Sequence, residues 1–295
     1  MRILLASLAV ILSTLTGAGV ALAAGLGKPE PWQMDLQVAV TPSAEGIASF
    51  HTLLLWIIIP IALFVLGLMI YVLVRFNEKA NPEPSTVTHN TTLEFVWTVV
   101  PILILVVIAI PSFRLLYLQR DIPQADLTIK ATGNQWYWTY EYPEHKSGDG
   151  EAVSFDAVMK TKEELKDGEP YLLATDTPVV VPVNAIVKVI VTASDVLHAW
   201  AVPSFGTKMD AVPGRLNETW FKAEKEGIYY GQCSELCGKD HAYMPIEVRV
   251  VSEAAYKKWL EETKTAGIET AVKNLIAHMD AKTATRKLAK LKNNN

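Results

Sequence analysis

Cysteine is scarce: the 295 residues contain two, Cys233 and Cys237. No Cys-x-x-Cys-His occurs, which excludes a covalently attached c-type haem. No internal repeat is found, so a repeat architecture is excluded. Charge is missing from 50–74, a run without Asp, Glu, Lys or Arg. Basic residues are thin where a nucleic-acid binder would need them. Residues 121–251 carry twelve Lys and Arg against twenty Asp and Glu, a net of -8, while 252–295 carry nine against five, a net of +4. An acidic stretch of this size suits a basic partner and argues against nucleic acid, with plain solubility as the alternative.

Apolar residues make up 50% of the chain and are unevenly spread. Arg2, the apolar stretch 3–15 and Ala21-Leu22-Ala23 form an export signal with a small-x-small cleavage pattern over 1–24; the alternative is a third membrane helix. An exported N-terminal segment, 25–49, follows. The runs 50–74 and 95–113 can each cross a hydrocarbon core at about 20 residues per crossing. They predict a transmembrane helical hairpin over 50–120, with helices near 50–75 and 93–118. Pro60, Pro101 and Pro111 are tolerable there if neighbours satisfy the freed carbonyls, which points to packing beside other membrane helices. Arg75 and Lys79 on one side against Arg114 and Arg120 on the other barely orient the hairpin. The export signal does orient it, leaving the loop 75–94 in the cytoplasm and everything after 114 outside.

Beyond Asp126 the hydrophobic period becomes two. Residues 127–130 alternate, and 135–142 are aromatic and β-prone, which would put Trp136 and Trp138 on one strand face. Residues 179–192 are rich in Val and Ile, with Pro182 and Asn184 as turn signals; 228–230 and 246–251 add further strands. Short strands with Gly and Pro punctuation predict a β-sandwich or small Greek-key barrel over 121–251. Residues 147–170 read as a polar excursion between strands. From Ser252 the pattern turns helical, and the Lys-rich end of the tail 252–295 reads as disordered or surface-bound.

Around the cysteines the residue types become specific. His241 and Met244 follow Cys237, and His198 lies upstream. Thiolate, imidazole and thioether together suit copper. A disulfide across Cys-x3-Cys would close a tight ring and leave His241 and Met244 unexplained. Zinc is poorly served by Met and rarely uses this spacing. One blue copper would take His198, Cys237, His241 and Met244 and leave Cys233 surplus. Two coppers bridged by both thiolates, with one imidazole each, use every residue, and the pattern favours them. Such a centre shares an electron over two metals and suits electron transfer, not bond-making chemistry.

The segment Gly231-Gln232-Cys233-Ser234-Glu235-Leu236-Cys237-Gly238, then His241-Ala242-Tyr243-Met244-Pro245-Ile246, closely resembles the copper-A loop of the cytochrome c oxidase subunit II family. So do Asp195-Val196-Leu197-His198-Ala199-Trp200, Asp210-Ala211-Val212-Pro213-Gly214-Arg215 and Gln135-Trp136-Tyr137-Trp138. The resemblance runs from about 50 to 259, and Arg75-Phe76-Asn77 with Thr88-His89-Asn90-Thr91 are similar to alphaproteobacterial members. One departure is Asn134, where many relatives have His.

The resemblance implies a set of roles. Cys233 and Cys237 would bridge two coppers, His198 and His241 would bind one each, Met244 would complete one and the Glu235 carbonyl the other. The Glu235 side chain would reach magnesium or manganese at subunit I. Trp136 would receive the electron from cytochrome c, which would dock on Glu141, Asp176 and Asp195. Glu94 would mark the mouth of a proton channel shared with subunit I; its bland reading is a helix capping box, Thr91-x-x-Glu94. The expected architecture is a two-helix membrane hairpin carrying a cupredoxin-type Greek-key β-barrel. Its setting would be the bacterial inner membrane, with the copper domain on the periplasmic side beside other oxidase subunits.

Overall fold

The structure is a computed structural model that describes residues 26–83 and 85–293, the side chains of 282–293 excepted. The expected export signal, 1–24, lies outside the described residues. The chain divides into two units, a helical hairpin over 42–124 and a β-domain built from the flanking residues.

Helices α1, Pro42–Arg75, and α2, Thr91–Arg120, make the hairpin. Their mean hydropathies reach 3.0 and 2.7, and no residue of either apolar window is buried. At about 1.5 Å per residue either helix exceeds a ~30 Å hydrocarbon core. Helix α1 begins at Pro42, ahead of the apolar run that starts at Phe50, with the proline at its first position and Glu45 in its first turn. Helix α2 is capped by Asn90, whose side chain accepts from the Leu93 N–H. The expected capping box is therefore corrected: Thr91 is the first helical residue, and Glu94 lies one position too late to close a box on Asn90.

Among the described residues ten strands build the β-domain: β1 Leu127–Asn134, β2 Tyr137–Lys146, β3 Ala152–Ala157, β4 Val179–Pro182, β5 Ile186–Ala193, β6 His198–Val202, β7 Thr207–Ala211, β8 Asn217–Lys222, β9 Gly227–Gln232 and β10 Pro245–Val251. One sheet runs β3-β2-β1-β5-β8, a second β4-β10-β9, and β6 pairs with β7. Alternation dictates the core. Leu127, Ile129 and Ala131 of β1 and Val187, Val189 and Val191 of β5 face inward against Ile246, Val248 and Val250 of β10. The expected β-sandwich class is thus what forms.

Two local expectations are overturned. Residues 147–170 are not all excursion, because Val153, Phe155 and Ala157 alternate with polar neighbours and bury β3 against β2. The aromatic segment does not run as a strand from Gln135: β1 and β2 close on Asn134 opposite Tyr137, so Gln135 and Trp136 form a two-residue hairpin turn. Trp136 and Trp138 consequently share no strand face.

The segment before α1 belongs to the β-domain. The Tyr230 N–H donates to Gly27 O at 2.8 Å, and Thr41 Oγ1 donates to Phe205 O at 2.7 Å. The chain leaves this domain at Thr41 and returns to it at Ala125. Beyond β10, α3 (Glu253–Ala266) is capped by Ser252, and α4 spans Ile268–Asn293. Tyr256 and Trp259 of α3 and Ala271 and Leu275 of α4 join the core. The Lys-rich end, expected to be disordered or surface-bound, continues α4 as helix to Asn293.

Both faces of β10 are covered, which forces a choice on Glu247 and Arg249. Arg249 Nη2 lies 2.7 Å from Glu247 Oε1 and 3.8 Å from Glu169 Oε1, and Lys160 Nζ is 2.8 Å from the same Glu169. The Thr175 N–H fills the other Glu247 oxygen at 2.9 Å. Burial alone would raise the Glu169 carboxyl, but bonds from Lys160 and the Lys166 N–H hold it below its ordinary range. Two cations and two carboxylates thus pin the 158–176 loop to β10. Arg249→Met strips the partner from buried Glu247 and should cost about 3–5 kcal/mol. The full chain in detergent should show this as a lower denaturant midpoint; an unchanged midpoint would mean that the cluster is solvated.

Candidate metal centre

The centre is built where β6 begins and the β9–β10 loop passes it. His198 is the first residue of β6, Cys233 follows β9, and Met244 precedes β10. All three are buried, as is Cys237. The two sulfurs stand 3.9 Å apart as free thiols, not as a disulfide. Cys233 Sγ faces His198 Nδ1 at 3.9 Å and the Glu235 carbonyl at 3.3 Å. Cys237 Sγ faces His241 Nδ1 at 3.3 Å and Met244 Sδ at 3.5 Å. Every expected donor is therefore brought to the thiol pair, with one imidazole for each sulfur.

Neighbouring groups fix these donors in place. His198 Nε2 is 2.9 Å from Asp195 Oδ1, which leaves Nδ1 aimed at Cys233. Gly133 of β1 makes room for the imidazole, since a Cβ there would lie 2.8 Å from His198 Cδ2. Trp138 packs edge-on against His198 with centroids 6.0 Å apart, and its Nε1 donates to Met244 O at 3.3 Å. Trp138 is a wall of the centre, fully buried.

Ionisation of the pair favours a cation. Burial pushes the Cys233 thiol up, but hydrogen bonds from His198 and neighbouring backbone outweigh it and bring it to about 7. Burial, and then the charge on Cys233, push Cys237 up to about 12. One thiolate forms readily; the second becomes accessible when a metal ion neutralises the pair. The soft sulfurs, two imidazoles and a thioether fit copper.

The remaining expected residues are scattered. Trp136 is half-buried beside the loop, and its Nε1 donates to Cys237 O at 3.3 Å. Asp195 accepts from the Gln135 and Val196 N–H groups as well as facing His198, and these bonds outweigh burial to hold its pKa low. Glu141 pairs with Lys130 at 3.2 Å on the neighbouring strand. Asp176 accepts from the Val158 N–H at 2.8 Å. Glu94 sits in the first turn of α2, in the other unit. Asn134, the atypical position, is well satisfied: Ser194 Oγ donates to its Oδ1 at 2.6 Å, and its Nδ2 donates to Thr139 Oγ1 at 3.0 Å. Sequence reasoning passed over Gln135, whose Nε2 donates to Cys237 O at 2.8 Å. A long-range side-chain bond of this kind leaves no periodic mark.

Fold and donor set define a membrane-anchored β-sandwich protein with a copper-type site. Profiles described as the periplasmic and transmembrane domains of cytochrome c oxidase subunit II match residues 127–251 and 29–115. A probable cytochrome c oxidase subunit 2 from Rickettsia bellii is 50% identical over 233 residues, covering 79% of this chain and 85% of the relative. Cytochrome c oxidase subunit 2 from Cereibacter sphaeroides is 47% identical over 257 residues, covering 81% and 83%. The crystal structure of the periplasmic domain of the Bradyrhizobium japonicum subunit II is 54% identical and covers 50% of this chain and 99% of that one, at a TM-score of 0.44. The chain belongs to the cytochrome c oxidase subunit II family. It is a subunit of cytochrome c oxidase, an oxidoreductase complex.

Proposed function

We propose that this chain takes electrons from cytochrome c at a two-copper centre and passes them to haem in subunit I, where oxygen is reduced and protons are pumped. The pairing of the donors carries the reading: each of two buried sulfurs, 3.9 Å apart, has its own imidazole. A single copper would leave one buried thiol without a role. When bound, the copper pair supplies a one-electron store delocalised over both metals.

The chain's residues then divide the work. Cys233, Cys237, His198, His241, Met244 and the Glu235 carbonyl would together hold the copper pair, with one imidazole beside each sulfur. The Glu235 side chain would serve magnesium or manganese at the contact with subunit I. Packing by Trp138 and Gly133 limits movement of the donors, which keeps reorganisation small when the charge changes. The Trp136 indole receives the electron and leads directly to the Cys237 carbonyl.

Asp195, Asp176 and Glu141 form the acidic approach for lysines around the donor's haem edge, and act mainly on encounter rate. Glu141 contributes least, because Lys130 already pairs with it. Glu94, released from the capping role, serves at the mouth of the proton channel. With an export signal at 1–24, the β-domain would lie in the periplasm, on the outer face of a bacterial inner membrane. The bare apolar faces of α1 and α2, with three internal prolines, suit packing against other oxidase subunits.

Three measurements test this. The purified protein should hold two coppers per chain and give a delocalised mixed-valence EPR signal; one copper with a blue absorption band would sink the two-copper centre. The bimolecular rate with cytochrome c should fall as salt rises past ~0.1 M, where the Debye length is about 10 Å; a salt-independent rate removes the acidic approach. Glu94→Ala should slow proton uptake by the assembled oxidase, and unchanged uptake would leave Glu94 without a proton role.

A further inference from the structure

The turn Gln135-Trp136 touches the centre at more points than electron reception by Trp136 requires. Three bonds leave it. Gln135 Nε2 donates to Cys237 O at 2.8 Å, Trp136 Nε1 donates to the same oxygen at 3.3 Å, and the Gln135 N–H donates to Asp195 Oδ2 at 2.7 Å. The other Asp195 oxygen is 2.9 Å from His198 Nε2. Gln135 therefore connects to both sides of the thiol pair: through its side chain to Cys237, and through its backbone and Asp195 to His198. The acceptor is a carbonyl, so the amide nitrogen, not its oxygen, must face it.

Of the two donors on Cys237 O, the amide is the closer and the indole is at the long end of the range for N–H···O. The surroundings also locate the restraint at this turn. Gly238 has φ +126°, and a Cβ there would come 2.9 Å from Trp136 Cζ2 and 3.2 Å from Gln135 Nε2. The backbone of the ligand loop thus lies flat on both side chains. Lys239 Nζ stands 5.6 Å from the Trp136 ring centroid, so one face of the indole is covered from the same loop. An indole fixed only by its own long bond could swing with the turn. The amide holds the loop against it.

We propose that Gln135 is a positioning residue: its side-chain amide sets the contact between the Trp136 indole and the Cys237 carbonyl, and thereby the route of the electron into the centre. This rests on the reading of Trp136 as the residue that receives the electron. Gln135 itself handles no electron and binds no metal.

The test uses Gln135→Leu, which keeps the bulk and removes the donor, and Gln135→Glu, which turns an acceptor toward the carbonyl. In the assembled oxidase both should retain two coppers per chain. Both should shift the copper hyperfine pattern and lower kcat with cytochrome c by about tenfold, the size typical for groups that orient metal ligands, with KM little changed. Gln135→His, which offers an N–H again, should recover most of the rate. The metal-free full chain in detergent gives a second readout that does not depend on assembly. Amide exchange across 234–244 should speed up several-fold in both variants, with β1 and β5 unaffected. A raised KM with unchanged kcat, EPR signal and exchange would overturn the proposal and make Gln135 a docking contact. Absence of the two-copper signal in the unsubstituted protein would instead defeat the proposed function and leave the exchange result standing.

Discussion

Two thiols held 3.9 Å apart inside the β9–β10 loop are the constraint from which the rest follows. Buried sulfurs this close do not both ionise without help: Cys233 comes down to about 7 while Cys237 is pushed up to about 12. The arrangement is stable as a pair of ligands and awkward as anything else. Around it the protein has placed groups that leave the donors few alternatives. Asp195 selects the ring nitrogen of His198 that faces the sulfur, Trp138 walls the site, and Gly133 yields the space for the imidazole. Each fixes a donor by contact with a strand or turn of the sandwich, so the geometry of the site inherits the stiffness of the sheets.

The same economy of contacts applies on the opposite side of β10. There Glu247 and Arg249 are buried where an apolar strand would ordinarily place valines, and the loop 158–176 supplies the matching Lys160 and Glu169. Helices α3 and α4 then close the domain with Trp259 and Leu275 in the core. The segment 26–41 is strapped to the β-domain through Gly27 and Thr41. The hairpin is thus an insertion in the sequence of the β-domain, entered after Thr41 and left before Ala125. Among the described residues the apolar windows of the hairpin's helices hold no buried residue, which suits a subunit of a membrane complex.

How much of this was legible depended on whether a residue's role was local. The apolar runs, the period-two strands at 127–130, 179–192 and 246–251, and the copper-type donor set could be read directly, because charge, periodicity and ligand chemistry are properties of short segments. β3 was hidden in a polar stretch whose inward residues, Val153, Phe155 and Ala157, are few. Trp136 was misplaced on a strand because aromatic composition does not mark where a hairpin turns. The alternative reading of Glu94 as part of a capping box fails because Asn90 caps the helix one residue earlier, a matter of which backbone geometry starts the helix.

The sequence by itself determined the class of protein: an anchor of two apolar spans, a sandwich of short strands, and soft ligands spaced for copper. Tertiary structure alone decided that His198, thirty-five residues before Cys233, faces its sulfur at 3.9 Å. It alone decided that Gln135 and Trp136 share the carbonyl of Cys237, about a hundred positions on. The physical reason is that ligand type and hydrophobic period are written residue by residue, whereas hydrogen bonds across such separations exist only once the sheets have stacked.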